Sequence, residues 1–227
     1  MKTKKQSVKV GQRMRGVRAH AKNGRGPASH ARARVVARAE LPTRFGRFTV
    51  FGIQGRGASE EAVAILHGRV KNRAAPLVRV HSQCLTGDVF ASERCDCRAQ
   101  LEFSLRKIAK EPAGIVLYLP QEGRGIGLIN KLKAYELQDE GLDTVEANRK
   151  LGFAADSREY DFAAAALETL GVRQVRLLSN NPDKITQLER GGIQVLKRVP
   201  CRPRTSHHSH AYLRTKQKKM GHLLENL

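Results

Sequence analysis

The sequence contains few aromatic residues, few cysteines and no long apolar run. Its 227 residues include four Cys, no Trp and only 5% aromatic residues. Four Cys are too few for a disulfide-rich scaffold, so a reducing compartment is the default expectation. No apolar run approaches the roughly 18 residues of a membrane helix, and no charged-then-apolar secretory leader opens the chain. These absences predict a cytoplasmic protein without a membrane span, long enough for one large domain or two small ones.

Acidic residues are scarce at both ends of the chain. The formal net charge is +21, of which residues 1–40 carry +11 and residues 197–227 carry +7. The long segment between them, residues 41–196, carries only +3. Because the basicity is mostly terminal, composition alone does not mark the central segment as a nucleic-acid-binding surface.

The N-terminal part of the chain shows no sustained apolar period. We interpret residues 1–38 as a disordered basic arm and residues 39–227 as one folded domain, with a basic C-terminal tail from about residue 200. Three roles stay open for the arm: a solvated tail, weak binding of nucleic acid or another anionic surface, and organelle targeting.

Strand and helix patterns alternate through the rest of the chain. Residues 41–50 predict a hairpin with its turn near Phe45-Gly46. Further strands are predicted at 62–66, 77–82, 114–119, 175–178 and 193–199, and helices at 101–108, 126–137, 145–151, 161–170 and 183–190. Ile126, Ile129, Leu132 and Leu137 support the second of these helices. This alternation predicts a mixed α/β (α+β) fold, in which helices cover a central sheet.

Three cysteines stand in the spacing Cys84-x10-Cys95-x-Cys97. Three thiolates can hold Zn²⁺ and leave a fourth coordination position for water, whereas a closed structural site normally takes four Cys or His ligands. The fourth Cys, Cys201, lies far along the chain, and His81 lies on a predicted strand. Spacing favours a zinc site at a strand–loop–helix junction. It leaves open a structural role for the metal, or three unrelated core thiols.

Three further segments follow predicted strands or precede helices. A glycine-rich run with Gly123, Arg124 and Gly125 follows a buried strand and opens a helix, where a phosphate can bind, but a plain tight turn explains it equally well. Asp156-Ser157-Arg158 precedes a helix and is compatible with a helix N-cap and a surface charge. The segment 179–184 joins a strand end to a helix start, a common place for ligand contacts.

These motifs occur together and in one order: RVHSQCLTGD, RCDC, QEGRGIGL, DTVEAN, LGFAADSR, SNNPDK and KMGHLL. In that order and spacing the chain resembles GTP cyclohydrolase II over roughly residues 39–227. The resemblance implies zinc-dependent hydrolysis of GTP that opens the guanine imidazole ring and releases formate and pyrophosphate. The implied product is 2,5-diamino-6-(5-phosphoribosylamino)pyrimidin-4-one, and the reaction is the first step of riboflavin biosynthesis.

The resemblance also implies roles for individual residues. One Zn²⁺ per subunit would be held by Cys84, Cys95 and Cys97 and would activate the water that attacks C8 of the base. The substrate contacts that it implies are Arg79, Val80, His81, Ser82, Gln83, Gln100, Glu122, Gly123, Arg124, Thr144, Ser179 and Lys184. Among these, Gln100 would read the guanine edge, because an amide donates and accepts at once.

The implied catalytic residues are Tyr135 near the base, Asp156 as proton acceptor and Arg158 as nucleophile at the α-phosphorus. A guanidinium has a pKa above about 12 and no free lone pair when charged. A second role therefore stays open for Arg158, in which it only stabilises charge at the phosphorus. Mg²⁺ on the triphosphate and a homodimeric assembly are further expectations from the resemblance.

Two other functions compete with this hypothesis. A paralogue in a specialised pathway would open the ring but keep the triphosphate on the product. A zinc-containing RNA-binding protein would use the basic termini, although the near-neutral middle and the few aromatic residues argue against it.

Overall fold

A computed structural model describes residues 33–57, 60–71, 74–204, 206 and 209–223. Its strands are β1 (Arg34–Thr43), β2 (Gly46–Gln54), β3 (Glu61–Gly68), β4 (Leu77–Ser82), β5 (Ala113–Leu119), β6 (Gln174–Leu178) and β7 (Gln194–Val199). Its helices are α1 (Leu85–Asp88), α2 (Cys97–Ile108), α3 (Leu128–Asp139), α4 (Thr144–Lys150), α5 (Asp161–Thr169), α6 (Pro182–Arg190) and α7 (His210–Met220). A short 3-10 turn, Glu122–Gly125, lies between β5 and α3.

Within the described residues the strands form one sheet in the order β1-β2-β3-β5-β4-β6-β7. The pairs from β1 through β3 to β5 are antiparallel, and the pairs among β5, β4, β6 and β7 are parallel. After β5 the chain passes to the other side of β4 to form β6. The strand order therefore reverses at β4, and ligand sites in α/β sheets form beyond the carboxyl ends of strands at such a point.

Both faces of the central strands β4 and β5 are buried. On one face, side chains of the central strands pack against α5 and α6 through residues such as Leu167 and Leu188. On the other face, Leu105 and Ile108 of α2 pack with Leu77 and Val116. The prediction of a mixed α/β fold with a helix-covered central sheet is confirmed. No helix among the described residues has the length and apolarity to cross a membrane.

Three local features differ from the sequence prediction. β1 begins at Arg34, so residues 34–38 of the predicted arm belong to an edge strand. That strand is exposed along most of its length and is held by backbone pairing with β2, so it shows no burial pattern. The rest of the predicted arm, residues 1–32, lies outside the described residues.

The second difference concerns α3, whose buried side is not its most apolar side. Ile129 is 65% exposed and Leu132 is 42% exposed, whereas Lys131 and Ala134 are buried. The third is α7, a helix within the segment predicted as a basic tail. Both helices turn lysines inward, toward the loops that follow the strands.

Candidate active site

The candidate site lies beyond the carboxyl ends of three parallel strands. Ser82 at the end of β4 pairs with Leu119 at the end of β5, and Ser179 follows the end of β6. The loops that leave these ends carry the thiols, the glycine-rich turn and the segment 179–184. They meet at the point where β4 lies between β5 and β6, as expected for a crevice at a reversal of strand order.

Cys84, Cys95 and Cys97 form a compact cluster at the starts of α1 and α2. Their Sγ atoms lie within 4.8 Å of one another, and Cys84 Sγ is 3.6 Å from Cys95 Sγ. Zinc–sulfur bonds of about 2.3 Å in a tetrahedron place two sulfurs about 3.8 Å apart, so the spacing fits a tetrahedral metal. Within the described ranges, no other group of three His, Cys, Asp or Glu residues has this spacing. A set of three ligands leaves a fourth position, which is typical of catalytic zinc.

The backbone of α1 closes one side of this cluster at Gly87. A Cβ at Gly87 would lie 2.9 Å from Cys95 Sγ and 3.1 Å from both Cys84 Sγ and Cys97 Cβ. Favourable contacts between such atoms are about 3.5–4.0 Å long. Glycine therefore leaves the space that lets the three sulfurs approach a common centre.

The protonation of the thiols also favours a bound cation. Hydrogen bonds with Cys95 and Cys97, and the Lys131 ammonium 3.1 Å from Cys84 Sγ, lower the pKa of Cys84. The hydrogen bond with Cys84 raises the pKa of Cys95 to about 11. One thiolate therefore forms readily, while the others need the positive charge of a metal ion to release their protons.

His81 packs behind the cluster. Its Nε2 lies 3.2 Å from both carboxylate oxygens of Asp88, and burial lowers the pKa of the imidazole. Asp88 also accepts hydrogen bonds from the Cys84 backbone N–H at 3.0 Å and from the Tyr118 hydroxyl at 2.9 Å. His81, Asp88 and Tyr118 thus fix the loop that carries the first thiol.

The glycine-rich segment forms the tight turn between β5 and α3. Glu122 Oε2 accepts from the Leu85 N–H at 2.6 Å, and Oε1 accepts from Lys131 Nζ at 2.8 Å. The Glu122 carboxylate therefore ties this turn to α1 and α3. At Gly125, φ is +90° and an added Cβ would lie 3.0 Å from the Ser157 carbonyl oxygen, so glycine allows the turn to approach the next loop.

Arg124 carries a donor that no described residue uses. Its Nη2 is buried and lacks a hydrogen-bond partner within the part of the chain that the structure describes. Nη1 lies 3.4 Å from the Ala155 carbonyl oxygen, and the guanidinium carbon lies 5.6 Å from the centre of the Tyr212 ring. Buried donors are normally satisfied, so this one fits an anionic ligand in the crevice.

Asp156 and Arg158 form a two-point ion pair in the loop before α5. Arg158 Nε donates to Asp156 Oδ1 at 2.8 Å, and Arg158 Nη2 donates to Oδ2. Asp156 does not cap α5, whose N-cap is Tyr160. Burial opposes the charge on Arg158, but Tyr160 and Asp156 raise its pKa above the ordinary value, so the guanidinium stays protonated.

Almost all of the sequence-predicted residues line two adjoining cavities. The first, which we call the thiol cavity, is lined by Ser82, Gln83, Cys84, Cys95, Cys97, Glu122, Gly123, Arg124, Tyr135, Thr144 and Arg158, among others. The second, the cationic cavity, adds Arg79, His81, Gln100, Ser179 and Lys184 and again includes Ser82, Cys97 and Arg158. Val80 and Asp156 line neither cavity.

These last two residues contact the site indirectly. The Val80 side chain packs in the core, and its carbonyl accepts a hydrogen bond from Lys184 Nζ at 2.7 Å. Asp156 lies behind Arg158. Burial, followed by the charges of Arg79 and Arg158, lowers the pKa of Lys184 well below its usual value. The cationic cavity therefore concentrates positive charge that an anion would stabilise.

Sequence reasoning missed several residues that line these cavities, among them Lys131, Tyr212, Lys216 and His222. Lys131 lies among exposed apolar residues of α3, and no local signal distinguishes it from a surface lysine. Tyr212, Lys216 and His222 belong to the segment predicted as a basic tail. The KMGHLL motif, which contains His222, was the available signal that this segment belongs to the domain.

Comparison with known proteins gives a consistent result. The family model for GTP cyclohydrolase II matches residues 33–200. The GTP cyclohydrolase-2 of Azotobacter vinelandii is 52% identical over 192 residues, which cover 85% of this chain and 92% of that protein. The riboflavin biosynthesis protein RibBA of Bacillus velezensis is 55% identical over 185 residues, covering 81% of this chain and 46% of that protein.

A riboflavin biosynthesis protein of Vibrio vulnificus is 50% identical over 187 residues, covering 82% of this chain and 51% of its own length. The chain thus spans about half the length of the Vibrio and Bacillus proteins. Among solved structures, RibBX, a two-domain 3,4-dihydroxy-2-butanone 4-phosphate synthase from A. baumannii, aligns with a TM-score of 0.38 and 17% identity. That alignment covers 65% of this chain and 34% of RibBX and is too weak to bear on the fold.

Proposed function

The chain belongs to the GTP cyclohydrolase II family, and from that membership we propose that it hydrolyses GTP with release of formate and pyrophosphate. The product would be 2,5-diamino-6-(5-phosphoribosylamino)pyrimidin-4-one, which feeds riboflavin biosynthesis. One observation carries the proposal: a cluster of three thiols and a group of buried cations face adjoining cavities at the carboxyl ends of the same strands. Ring opening and pyrophosphate release need these two kinds of chemistry side by side.

The thiol cavity suits the ring-opening step. Cys84, Cys95 and Cys97 would hold Zn²⁺, which would lower the pKa of a bound water to about 7 and so supply a nucleophile at neutral pH. Lys131 stabilises the Cys84 thiolate, and Glu122 holds Lys131 in place. Tyr135 lines the same cavity, and burial raises the pKa of its hydroxyl, so it remains a hydrogen-bond donor at neutral pH.

The cationic cavity suits the triphosphate. Lys184 and Arg79 are buried there, and Arg124, whose buried Nη2 has no hydrogen-bond partner among the described residues, lines the neighbouring cavity. Each of these groups donates to phosphate oxygens without accepting, which favours an anion over a neutral ligand. We assign Mg²⁺ to the triphosphate, where it would neutralise charge on the leaving pyrophosphate.

We assign Arg158 to charge stabilisation at the α-phosphorus rather than to nucleophilic attack. Its guanidinium is held protonated by Asp156, and a protonated guanidinium has no lone pair to give. The Asp156 carboxylate orients the guanidinium, because two donors of Arg158 bind it and fix the plane of the guanidinium. A planar cation next to the phosphorus lowers the energy of the crowded, negatively charged transition state.

The direct test is an assay of purified, zinc-replete protein with GTP and Mg²⁺. We expect formate and pyrophosphate in equal amounts, and intact GTP at high enzyme concentration would refute the proposal. Cys95→Ser should abolish formate release, while the matched control Cys201→Ala, which changes a buried thiol outside the cluster, should retain it. Formate release by Cys95→Ser would show that the cluster does not hold the metal used in ring opening.

Mass spectrometry of the product separates the main proposal from a paralogue with altered output. Loss of pyrophosphate gives a product with one phosphate, whereas a paralogue would leave a ring-opened triphosphate. Arg158 lines both cavities and pairs with Asp156, and this favours the complete reaction. We also propose a homodimer on the basis of the family resemblance, and light scattering of the purified protein would test it.

A further inference from the structure

The C-terminal helix α7 inserts a lysine into the wall of the cationic cavity. The Lys216 side chain is 9% exposed, and its Nζ lies 3.0 Å from Oδ1 of Asp96, whose side chain is 3% exposed. The same Nζ lies 4.2 Å from the centre of the Tyr212 ring. By contrast, Lys219 on the same helix pairs with Asp143 and Glu146 near the surface and is 41% exposed. Lys216 is thus the lysine of this pair that reaches the active site.

Asp96 also contacts Gln100. The second carboxylate oxygen, Oδ2, accepts a hydrogen bond from Gln100 Nε2. On its other side, Gln100 Oε1 accepts a hydrogen bond from Arg79 Nη2 at 2.5 Å. Lys216, Asp96, Gln100 and Arg79 therefore form one continuous chain of contacts that runs from α7 into the cationic cavity.

The chemistry of the two neighbours determines the orientation of the Gln100 amide. A carboxylate only accepts hydrogen bonds, so the Gln100 NH₂ must face Asp96. A guanidinium only donates, so the Gln100 carbonyl must face Arg79. One N–H of the NH₂ group and one lone pair of the carbonyl remain for a ligand, in a fixed order along the amide.

We propose that Lys216 is a positioning residue for base recognition, because it holds the Asp96 carboxylate in the place from which that carboxylate sets the orientation of the Gln100 amide. This inference rests on the proposed function, in which Gln100 contacts the guanine. Without the ammonium, the Asp96 carboxylate is buried without a counter-charge, and its side chain is free to rotate away from the Gln100 NH₂. The amide would then lose one of its two orienting contacts.

A reversed amide has a specific consequence for nucleotide choice. Guanine places an acceptor, O6, beside the N1–H donor on its pairing edge, and adenine places the N6 donor beside the N1 acceptor. Rotating a carboxamide by half a turn exchanges its donor and acceptor, so a reversed amide no longer matches guanine and matches adenine better. A paired hydrogen-bond contact to a base discriminates by roughly tenfold or more. Loss of Lys216 should therefore lower selectivity, beyond any loss of overall activity.

The test compares the preference for GTP over ATP in zinc-replete enzyme. We would measure KM for GTP and the inhibition constant of ATP for the wild type, Lys216→Met, Lys216→Arg and the control Lys219→Met. We expect the ratio of GTP to ATP preference to fall by about tenfold in Lys216→Met, to recover in Lys216→Arg and to stay unchanged in Lys219→Met. Partial unfolding lowers kcat but changes neither KM nor the inhibition constant, so it does not alter this ratio.

If Lys216→Met is too unstable to purify, the double variant Lys216→Met with Asp96→Asn removes both charges. The side-chain amide introduced at position 96 can turn either its NH₂ or its carbonyl toward Gln100. The double variant should show the same loss of preference. An unchanged ratio in either variant overturns the proposal, even where the turnover falls, because a purely structural lysine would affect both nucleotides equally.

A second measurement separates this inference from the proposed function. Urea unfolding without nucleotide tests the coupling between Lys216 and Gln100, which contact each other only through Asp96. The variants are Lys216→Met, Gln100→Ala and their combination. We expect the shifts in midpoint to be non-additive, since both residues share Asp96. Additive shifts overturn the proposal whether or not the wild type hydrolyses GTP, whereas non-additive shifts with an inactive wild type refute the proposed function alone.

Discussion

Gly87→Ala is the sharpest test of the thiol cluster, because it adds one methyl group without changing a ligand. The new Cβ would lie 2.9 Å from Cys95 Sγ, which is about 0.6–1 Å shorter than a favourable contact. Backbone strain does not confuse the result: Gly87 lies in α1 and needs no left-handed φ. Alanine is in fact favoured over glycine in a helix by about 1 kcal/mol.

The displacement exceeds what zinc coordination tolerates. Ligand distances in zinc sites vary by about 0.2 Å, so a sulfur pushed by more than 0.6 Å leaves its coordination position or drags Cys84 with it. We expect zinc affinity to fall by at least about 100-fold, which is about 2.7 kcal/mol. Formate release at limiting zinc should fall in parallel and recover partly when excess zinc is added.

The assay is competition with a chromophoric chelator, followed by GTP turnover at several zinc concentrations. Gly52→Ala is the matched control, because its Cβ would meet Ala37 and Val36 at ordinary distances of 3.5 Å, far from the thiols in the fold. Equal zinc affinity and equal turnover in Gly87→Ala and the wild type would contradict the conclusion that the three sulfurs close around one ion.

Three further predictions follow from the pairs around the site. Arg158→Lys loses the planar two-point pair with Asp156, so pyrophosphate release should fall by roughly 10²–10³-fold, whereas ring opening should fall less. A ring-opened triphosphate should then accumulate and be visible by mass spectrometry. Equal losses in both steps would count against the assignment of Arg158. Burial, with Arg79 and Arg158, lowers the pKa of Lys184, so a bound polyphosphate should raise that pKa again and binding should take up protons. Calorimetry in buffers of different ionisation enthalpy measures this uptake, and a buffer-independent enthalpy would speak against it. Tyr118→Phe removes the hydrogen bond to Asp88 and should lower the free energy of unfolding by about 1 kcal/mol in urea titrations. An unchanged free energy of unfolding would mean that this bond does not stabilise the loop that carries Cys84.

Local chemistry was predictable from the sequence, because it depends on residues close together in the chain. Cys84, Cys95 and Cys97 lie within fourteen positions, and their spacing favoured a zinc site, although it left a structural and a catalytic role for the metal both open. The alternation of strand and helix from residue 77 to 199 likewise predicted a covered sheet, and a reversal in the order of its strands brings the loops together. The roles of Asp156 and Arg158 came from the family resemblance, and the structure adds that the two residues pair with each other.

Long-range contacts between charged residues were not predictable. Lys131 and Lys216 look like surface lysines in the sequence, since each stands beside residues that are exposed. Their burial depends on acceptors far away in the chain: Cys84 Sγ for Lys131 and Asp96 for Lys216. No periodicity encodes such a pair, because hydropathy treats every lysine as solvent-facing. For the same reason the exposed side of α3 carries Ile129 and Leu132 while its buried side carries a lysine.

The ion pairs of Lys216 and Lys219 change the interpretation of the basic C-terminal segment. An RNA-binding surface needs cations that are free to neutralise phosphates and release counterions. On α7, however, Lys216 is committed to Asp96, and Lys219 contacts Asp143 and Glu146 at the N-terminus of α4. The segment is further anchored where the Leu223 N–H donates to the Asn180 carbonyl, which follows β6. Lys216 and Lys219, which looked like tail residues in the sequence, thus bind carboxylates of the domain. The same helix forms part of the wall of both cavities, because Tyr212 lines the thiol cavity and the cationic cavity.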